Sequence, residues 1–344
     1  MEKHFLQSES WKKFQESLGK QVFEDSGSGW GFLATLETTP FGSYLYLPYG
    51  PTSQDDNTFQ GALKALKSLA HQQDVLFIRI EPTNGVSAST LEYEGFVRIK
   101  EINPEHTWVL NLEQSREAIL AGMKQNNRNL FNTYKSKSIT IHHTSNTKKI
   151  VYLTSLLAGV ATHNKINTHS ATYLSKQMSE AGAILYYAVL NDPNLTSASI
   201  FSQEKSGLTN TVTTGMRNVS GSDDSESAPA IIAAALVYDS PTTRYYAHGA
   251  ADHEHRKLGA GTALLAQMII DAKDKGLKTF DFYGITESAD PHHPWYGFTK
   301  FKKSFGGEPR NHLGTWDLPL KKARYRAFTH LRAANRKLRK LIKK

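Results

Sequence analysis

The chain has 344 residues, 39% hydrophobic and 21% charged, enough to bury the core of one large domain or two medium ones. It contains no cysteine, which excludes disulfides, thiolate metal sites and cysteine nucleophiles and fits a reducing compartment. Net charge is +9, yet residues 320–344 hold eleven Lys and Arg and no Asp or Glu, so the preceding residues sum to −2.

A basic tail of this kind favours polyanions or an anionic membrane surface. The N-terminus lacks an apolar h-region, so no signal peptide is expected, and no apolar run approaches the roughly 18 residues of a membrane span.

In chain order, residues 8–18 (SESWKKFQESL) predict a short helix, capped by Ser8 or Ser10 with Trp11, Phe14 and Leu18 on one side. Strands are expected at 31–36 and 43–47, joined by a turn at 40–42. PYGP follows, then a helix over about 59–71 and an apolar strand at 75–80 (VLFIRI) ending at Glu81–Pro82. Residues 107–112 predict another strand. A single helix is expected over 115–137, carrying Lys124, Arg128, Lys135 and Lys137 as a solvated basic face or a phosphate-contacting one. A strand at 139–142 and helices at 146–160 and 170–181 come next. The runs AILYYAVL (183–190) and AIIAAALVY (230–238) read as neighbouring strands of a hairpin. The polar, serine-rich stretch of about 191–229 between them reads as a poorly ordered insertion.

Residues 245–308 are the centre of the chain. An apolar strand at 244–248 leads through glycines 249, 259 and 261 to an amphipathic helix over 258–272. Gly276 stops it, and a second strand, KTFDFY, occupies 278–283. This order of strand, glycine turn, helix and strand repeats that of residues 43–80, which suggests two related domains. Turns at such strand ends are where α/β units bind ligands. Finally Tyr325, Phe328, Leu331, Ala334, Leu338 and Leu341 form an apolar stripe at helical spacing in the basic tail. That stripe can pack on the body or lie on a membrane surface, and packing suits its aromatic start.

SESWKKFQESLG, YLPYGP, FIRIEP, HTWVLNL, FDFYGI and GFTKFKKSFGGE, in this order and spacing, resemble the Fem-type (FemABX) peptidoglycan bridge aminoacyltransferases. The resemblance spans nearly the whole chain apart from the insertion and the tail. It implies an α+β fold of two GNAT-like domains with mixed sheets, plus the basic C-terminal helix. The expected division is 1–142 with 316–344, and 143–315. It further implies transfer of an amino acid from aminoacyl-tRNA to the stem-peptide amine of lipid II or a UDP-linked precursor. No cofactor is implied, and the enzyme would be a cytoplasmic monomer. The tail residues Arg324, Arg332 and Arg336, with Lys124 and Arg128, would engage tRNA or the anionic inner leaflet.

By the same resemblance, Phe301–Lys302 matches a Phe-Lys pair that supplies a cation to the oxyanion, with Lys300 and Lys303 as the neighbouring alternatives. A diphosphate-binding lysine position falls on Gln15, beside Lys12 and Lys13, and an arginine position falls on His169. Both departures weaken phosphate binding and leave the precursor open. Tyr173, one turn on from His169, either holds substrate or belongs to the core.

Asp281 either orients the amine or pins the turn after its strand. Tyr49 and Tyr283, each beside a glycine, are cleft candidates, and His248 is a further substrate-contact candidate. Arg256-x-x-Gly259-x-Gly261 spells the turn that cradles coenzyme A in acetyltransferases, making an acetyl-CoA-dependent enzyme the rival function. A non-catalytic adaptor binding tRNA or anionic surfaces is the other. His253-x-His255 is too sparse for zinc, so no metal is expected. Tyr93, Phe96 and Trp108 are read as core; Trp295, Tyr296 and Phe298 pack or stack on a tRNA end.

Overall fold

The computed structural model of the chain describes residues 3–164, 168–191 and 230–342, with side chains at all of these except 160–164 and 335–342. The serine-rich stretch from 192 to 229 lies outside the described residues.

Two mixed sheets with flanking helices give the expected α+β architecture. The first comprises β1 (Val22–Gly27), β2 (Trp30–Thr39), β3 (Gly42–Leu47), β4 (Thr52–Ser53), β5 (Phe77–Ile80), β6 (Val97–Arg98) and, from the far end of the chain, β14 (Trp316–Pro319). Its order is β1-β2-β3-β5-β14-β6, with β4 paired to β2. The second sheet is built from β7 (His106–Asn111), β8 (Ile139–Thr144), β9 (Ile184–Leu190), β10 (Ala230–Asp239), β11 (Thr243–Ala251), β12 (Thr279–Gly284) and β13 (Glu308–Asn311), in the order β13-β7-β12-β11-β10-β9-β8. Strands β7 and β8 therefore belong to the second sheet, so its territory begins near His106, ahead of the expected division at 142.

The helices are α1 (Glu9–Ser17), α2 (Asp56–Gln72), α3 (Ala88–Tyr93), α4 (Arg116–Gly122), α5 (Gln125–Thr133), α6 (Val151–Asn164), α7 (Ala171–Glu180), α8 (Ala260–Asp274), α9 (Tyr296–Lys303) and α10 (Lys322–Ile342). Local chemistry starts them where it should. The Ser8 hydroxyl accepts the Trp11 N–H at the head of α1, and Asp55 and Thr58 form a reciprocal cap on α2. Along α2, Phe59, Ala62, Leu63, Leu66 and Ala70 recur at helical spacing and are all buried against the first sheet.

The internal repeat is visible as pairing. Strands β3 and β5 are parallel with α2 between them in sequence, and β11 and β12 are parallel with α8 between them. The helix expected over 115–137 is instead two. Met123 turns extended (ψ 149°), and the following Lys124 N–H donates to the Ser304 carbonyl at 2.9 Å. Tertiary hydrogen bonding at Ser304 outweighs the helical pattern there. Tyr93, expected in the core, is 89% exposed at the end of α3.

The two domains share one core layer. Phe5 stacks on Tyr238 of β10 (centroids 4.4 Å apart), and Leu6, Trp11, Phe14 and Tyr49 join the same cluster as Tyr238 and Tyr245. The Gln7 amide donates to the carbonyls of Leu33 and Pro48 (3.0 and 2.8 Å) and accepts the Leu33 N–H (2.7 Å), locking this N-terminal wedge in place. At the C-terminus, Tyr325 and Phe328 of α10 pack against Leu76, Phe77 and Tyr44, so the stripe begins as a core contact on the first domain.

Candidate active site

Helix α9 is short and tied down at its middle and just past its C-terminus. Its Thr299 hydroxyl accepts the Thr286 N–H (3.0 Å), and just beyond it Ser304 is gripped by the Asn127 side chain (3.1 Å to the carbonyl, 2.7 Å to the hydroxyl). Phe301 turns into the second-domain core, edge-on to Phe305 at 5.2 Å. Its neighbour Lys302 is thereby directed the other way, and its ammonium donates to the Gly284 carbonyl at 2.5 Å. Burial pushes the Lys302 pKa down to about 8, against an opposing pull from the negative charge of Asp281. Lys303 lies over the Trp108 ring instead (5.0 Å), while Lys300 is exposed.

The turn that presents the Gly284 carbonyl is set by Asp281. Its carboxylate accepts the Tyr283 N–H at 2.7 Å, and Tyr283 adopts a left-handed φ of 65°. Gly284 then passes so close to Pro104 that a Cβ would sit 2.5 Å from the ring, so glycine is required there. Tyr49 is also left-handed (φ 48°), and its hydroxyl donates to the Pro104 carbonyl at 2.8 Å. Non-glycine residues in this region persist only where their surroundings over-determine them, and such residues cluster at functional sites. Burial raises the pKa of both tyrosines, so both phenols are neutral donors. Lys302, Asp281, Tyr283 and Tyr49 thus come together where the end of β12 meets the first domain.

Several members of this region were missed from sequence. Glu81, 4% exposed, takes four hydrogen bonds: from the Tyr46 hydroxyl (2.9 Å), the Asn103 N–H (3.0 Å) and amide (2.6 Å), and the Thr315 hydroxyl (2.8 Å). It thereby fixes the loop that carries Pro104. An acid directly after the apolar FIRI strand was the available signal, read only as a strand end. His4 stacks on Tyr49 (4.0 Å) and His312 meets it edge-on (5.2 Å). Nothing in their local sequence marked either.

A second group gathers His169, Tyr173 and His248. His169 stacks on Tyr173 at 4.5 Å and meets His248 edge-on at 5.5 Å. Burial, then the charge of His169, lowers the His248 pKa to about 4, so this pair is neutral at neutral pH. Phe14 lies edge-on to Tyr173 at 5.2 Å, bringing α1 alongside. Gln15 is buried, Lys13 exposed, and Lys12 bonded to Glu24 at 3.0 Å.

The other basic candidates sit at the α4–α5 junction, where the Lys124 N–H reaches Ser304 just beyond α9, on α10, and ahead of α8. Arg128 donates to the Ala121 carbonyl at 3.0 Å and to the Met123 carbonyl, capping the end of α4. Lys124 is exposed beside it; Arg324 and Arg332 are exposed on α10, and the Arg336 side chain is outside the described ones. Arg256 lies against His253 (3.2 Å), and the Gly259–Gly261 turn opens α8. Gly259 is left-handed (φ 73°), and a Cβ there would lie 2.6 Å from the Leu130 side chain of α5. Packing between α5 and α8 therefore gives this glycine a reason independent of any phosphate.

The FemAB family model matches residues 202–333, which include Asp281 and Lys302. The crystal structure of FemX superposes with a TM-score of 0.76 at 16% identity, over 95% of this chain and 94% of that one. The structure of L-PGS from Bacillus licheniformis matches with a TM-score of 0.53 at 12% identity, over 97% and 98% of the two chains. Compared by sequence with curated proteins, the chain has no match. The resemblance read from the motifs and the tandem GNAT-like fold are both borne out.

Proposed function

We propose that this chain, with its FemAB-family segment and FemX-like fold, is an acyltransferase that moves an amino acid from aminoacyl-tRNA to the stem-peptide amine of a peptidoglycan precursor. The observation that carries the reading is the Lys302 ammonium anchored on the Gly284 carbonyl beside Asp281, at the strand end that meets the first domain. An ammonium has three donors. Gly284 fixes one and so aims the others.

The chemistry asks for little more. The acceptor amine attacks the ester carbonyl, forming the C–N bond and placing negative charge on the former carbonyl oxygen. Collapse breaks the C–O bond to the ribose, and the proton shed by the attacking nitrogen passes to the departing ribose oxygen. A preorganised cation at the transient oxyanion contributes about 2.7–4 kcal/mol. Lys302 supplies that cation, Asp281 keeps it protonated and shapes its turn, and Tyr49 and Tyr283 wall the seam. His169, Tyr173 and His248 are proposed as neutral contacts to the precursor, and the transfer chemistry is the same for a lipid-linked and a UDP-linked one.

Incubating the protein with a mixture of charged tRNAs and either precursor, then weighing the products, tests the reaction. Lys302→Met should slow turnover about 10²–10³-fold, with Lys300→Met and Lys303→Met near the parent. Full turnover by Lys302→Met would remove its role, and no mass increase with any charged tRNA would remove the reading itself.

A further inference from the structure

Three exposed apolar side chains surround one buried cluster on the first domain. Phe41 (41% exposed) sits at the β2–β3 turn, next to Gly42, whose backbone lies against the Leu76 side chain. Leu320 (38% exposed) donates its N–H to the Leu76 carbonyl at 3.0 Å. Leu331 (44% exposed) is one helical turn beyond Phe328, which is buried on Leu76 and Phe77. The stripe of α10 therefore changes along its length. Tyr325 and Phe328 are satisfied by the body, and Leu331 is not.

Basic residues flank this patch. Arg324 lies two helical turns before Leu331 on the same side of α10 and Arg332 directly follows it; both are exposed, α10 holds no acidic residue, and the sequence continues as RKLRKLIKK. Acids beside this face are engaged: Asp317 by Arg79 and the Tyr325 hydroxyl, Asp74 by Lys321, and Glu37 by Lys20 at 2.6 Å.

We propose that this face, formed by Phe41, Leu320, Leu331 and the basic side of α10, seats the protein on an anionic lipid bilayer. Apolar side chains beside basic ones fit the boundary between headgroups and acyl chains, where the first are buried and the second meet lipid phosphates. An RNA partner would use the charges and leave the exposed apolar residues in water, so the pairing of the two favours lipid. The inference stands independently of the aminoacyl-transfer reading.

The test is co-sedimentation of the full chain with vesicles of phosphatidylglycerol and phosphatidylcholine in equal parts, against phosphatidylcholine alone, at low and high salt. Binding is expected to the anionic vesicles only and to weaken with salt. Leu331→Ser and Phe41→Ser should each weaken it about five- to tenfold, and Arg324→Glu with Arg332→Glu at least tenfold. Thermal melting should be unchanged in the serine variants, since both side chains are exposed. Overturning results are no preference for anionic vesicles, capture of transfer RNA without vesicle binding, or vesicle binding that ignores both serine substitutions.

Discussion

Tyr49 and Tyr283 stand 6.1 Å apart, centroid to centroid, across the seam between the domains, each held in a left-handed backbone conformation. For a residue with a Cβ that conformation costs roughly 1–2 kcal/mol. Each is over-determined: Tyr49 by the Pro104 carbonyl and the His4 ring, Tyr283 by the Asp281 carboxylate on its N–H. Tyr283→Asn and Tyr283→Val both remove a ring packed near His4, Phe5 and Tyr49, and both should lose stability and at least tenfold in transfer rate. Asn tolerates this backbone and Val does not, so the valine variant should be the less stable of the two by about 1–2 kcal/mol. Equal melting of the two variants in denaturant titrations would show that the backbone strain is not real.

In the proposed reaction the ammonium of Lys302 sets a pH limit. Its folded pKa of about 8 lies below the ordinary 10.5, so the cation is present below about pH 8 and is lost above it. Single-turnover transfer should therefore fall as pH rises through about 8. Asp281→Asn keeps an oxygen for the Tyr283 N–H but removes the charge that supports the cation, so the falling limb should move to lower pH. Rate–pH profiles of the two proteins check this, and coincident limbs would break the link between Asp281 and Lys302.

How much of this was legible depended on whether the signal was local. Capped, periodic helices such as α1 and α2, and the repeated strand-helix-strand units, follow from spacing alone. The break at Met123–Lys124 does not, because its cause is the carbonyl of Ser304, far away in sequence. Lys302 looked like any of three neighbouring lysines, and only the inward turn of Phe301 separates it from Lys300 and Lys303. His4 and His312 flank Tyr49 from opposite ends of the chain. Their partnership exists only after folding, and no pattern along the chain announces it.

Those buried imidazoles make acid stability measurable. Burial, then the charge of Arg310, lowers the His312 pKa to about 4; burial, then His169, does the same for His248; and burial holds His4 well below its ordinary value. A folded pKa below the unfolded one means the unfolded chain binds more protons in between. The contribution of His312 and His248 is therefore complete above about pH 6.5 and is lost as pH falls toward 4, by on the order of 2 kcal/mol for each of the two, and His4 acts in the same direction. His312→Gln and His248→Phe should each flatten the decline of melting temperature across that window. A slope identical to the parent's would mean these rings are protonated without cost.

The buried ion pair of Arg79 and Asp317 should decide whether the C-terminal helix stays docked. The guanidinium donates twice to the carboxylate, at 2.7 Å each, joining β5 to β14, with Arg79 2% and Asp317 1% exposed at their side chains. The Tyr325 hydroxyl of α10 donates to the same carboxylate at 2.9 Å, and the guanidinium lies 5.0 Å from the ring centroids of both Tyr44 and Phe77. Removing one partner strands a charge in a dry site, so Arg79→Met or Asp317→Leu alone should cost about 3–5 kcal/mol. The double variant should recover much of that, since two apolar side chains can fill the space without any charge to desolvate. Tyr325→Phe should cost only about 1 kcal/mol but loosen α10 selectively, read as faster amide exchange in that helix. Additive losses in the double variant would show that the pair is not coupled.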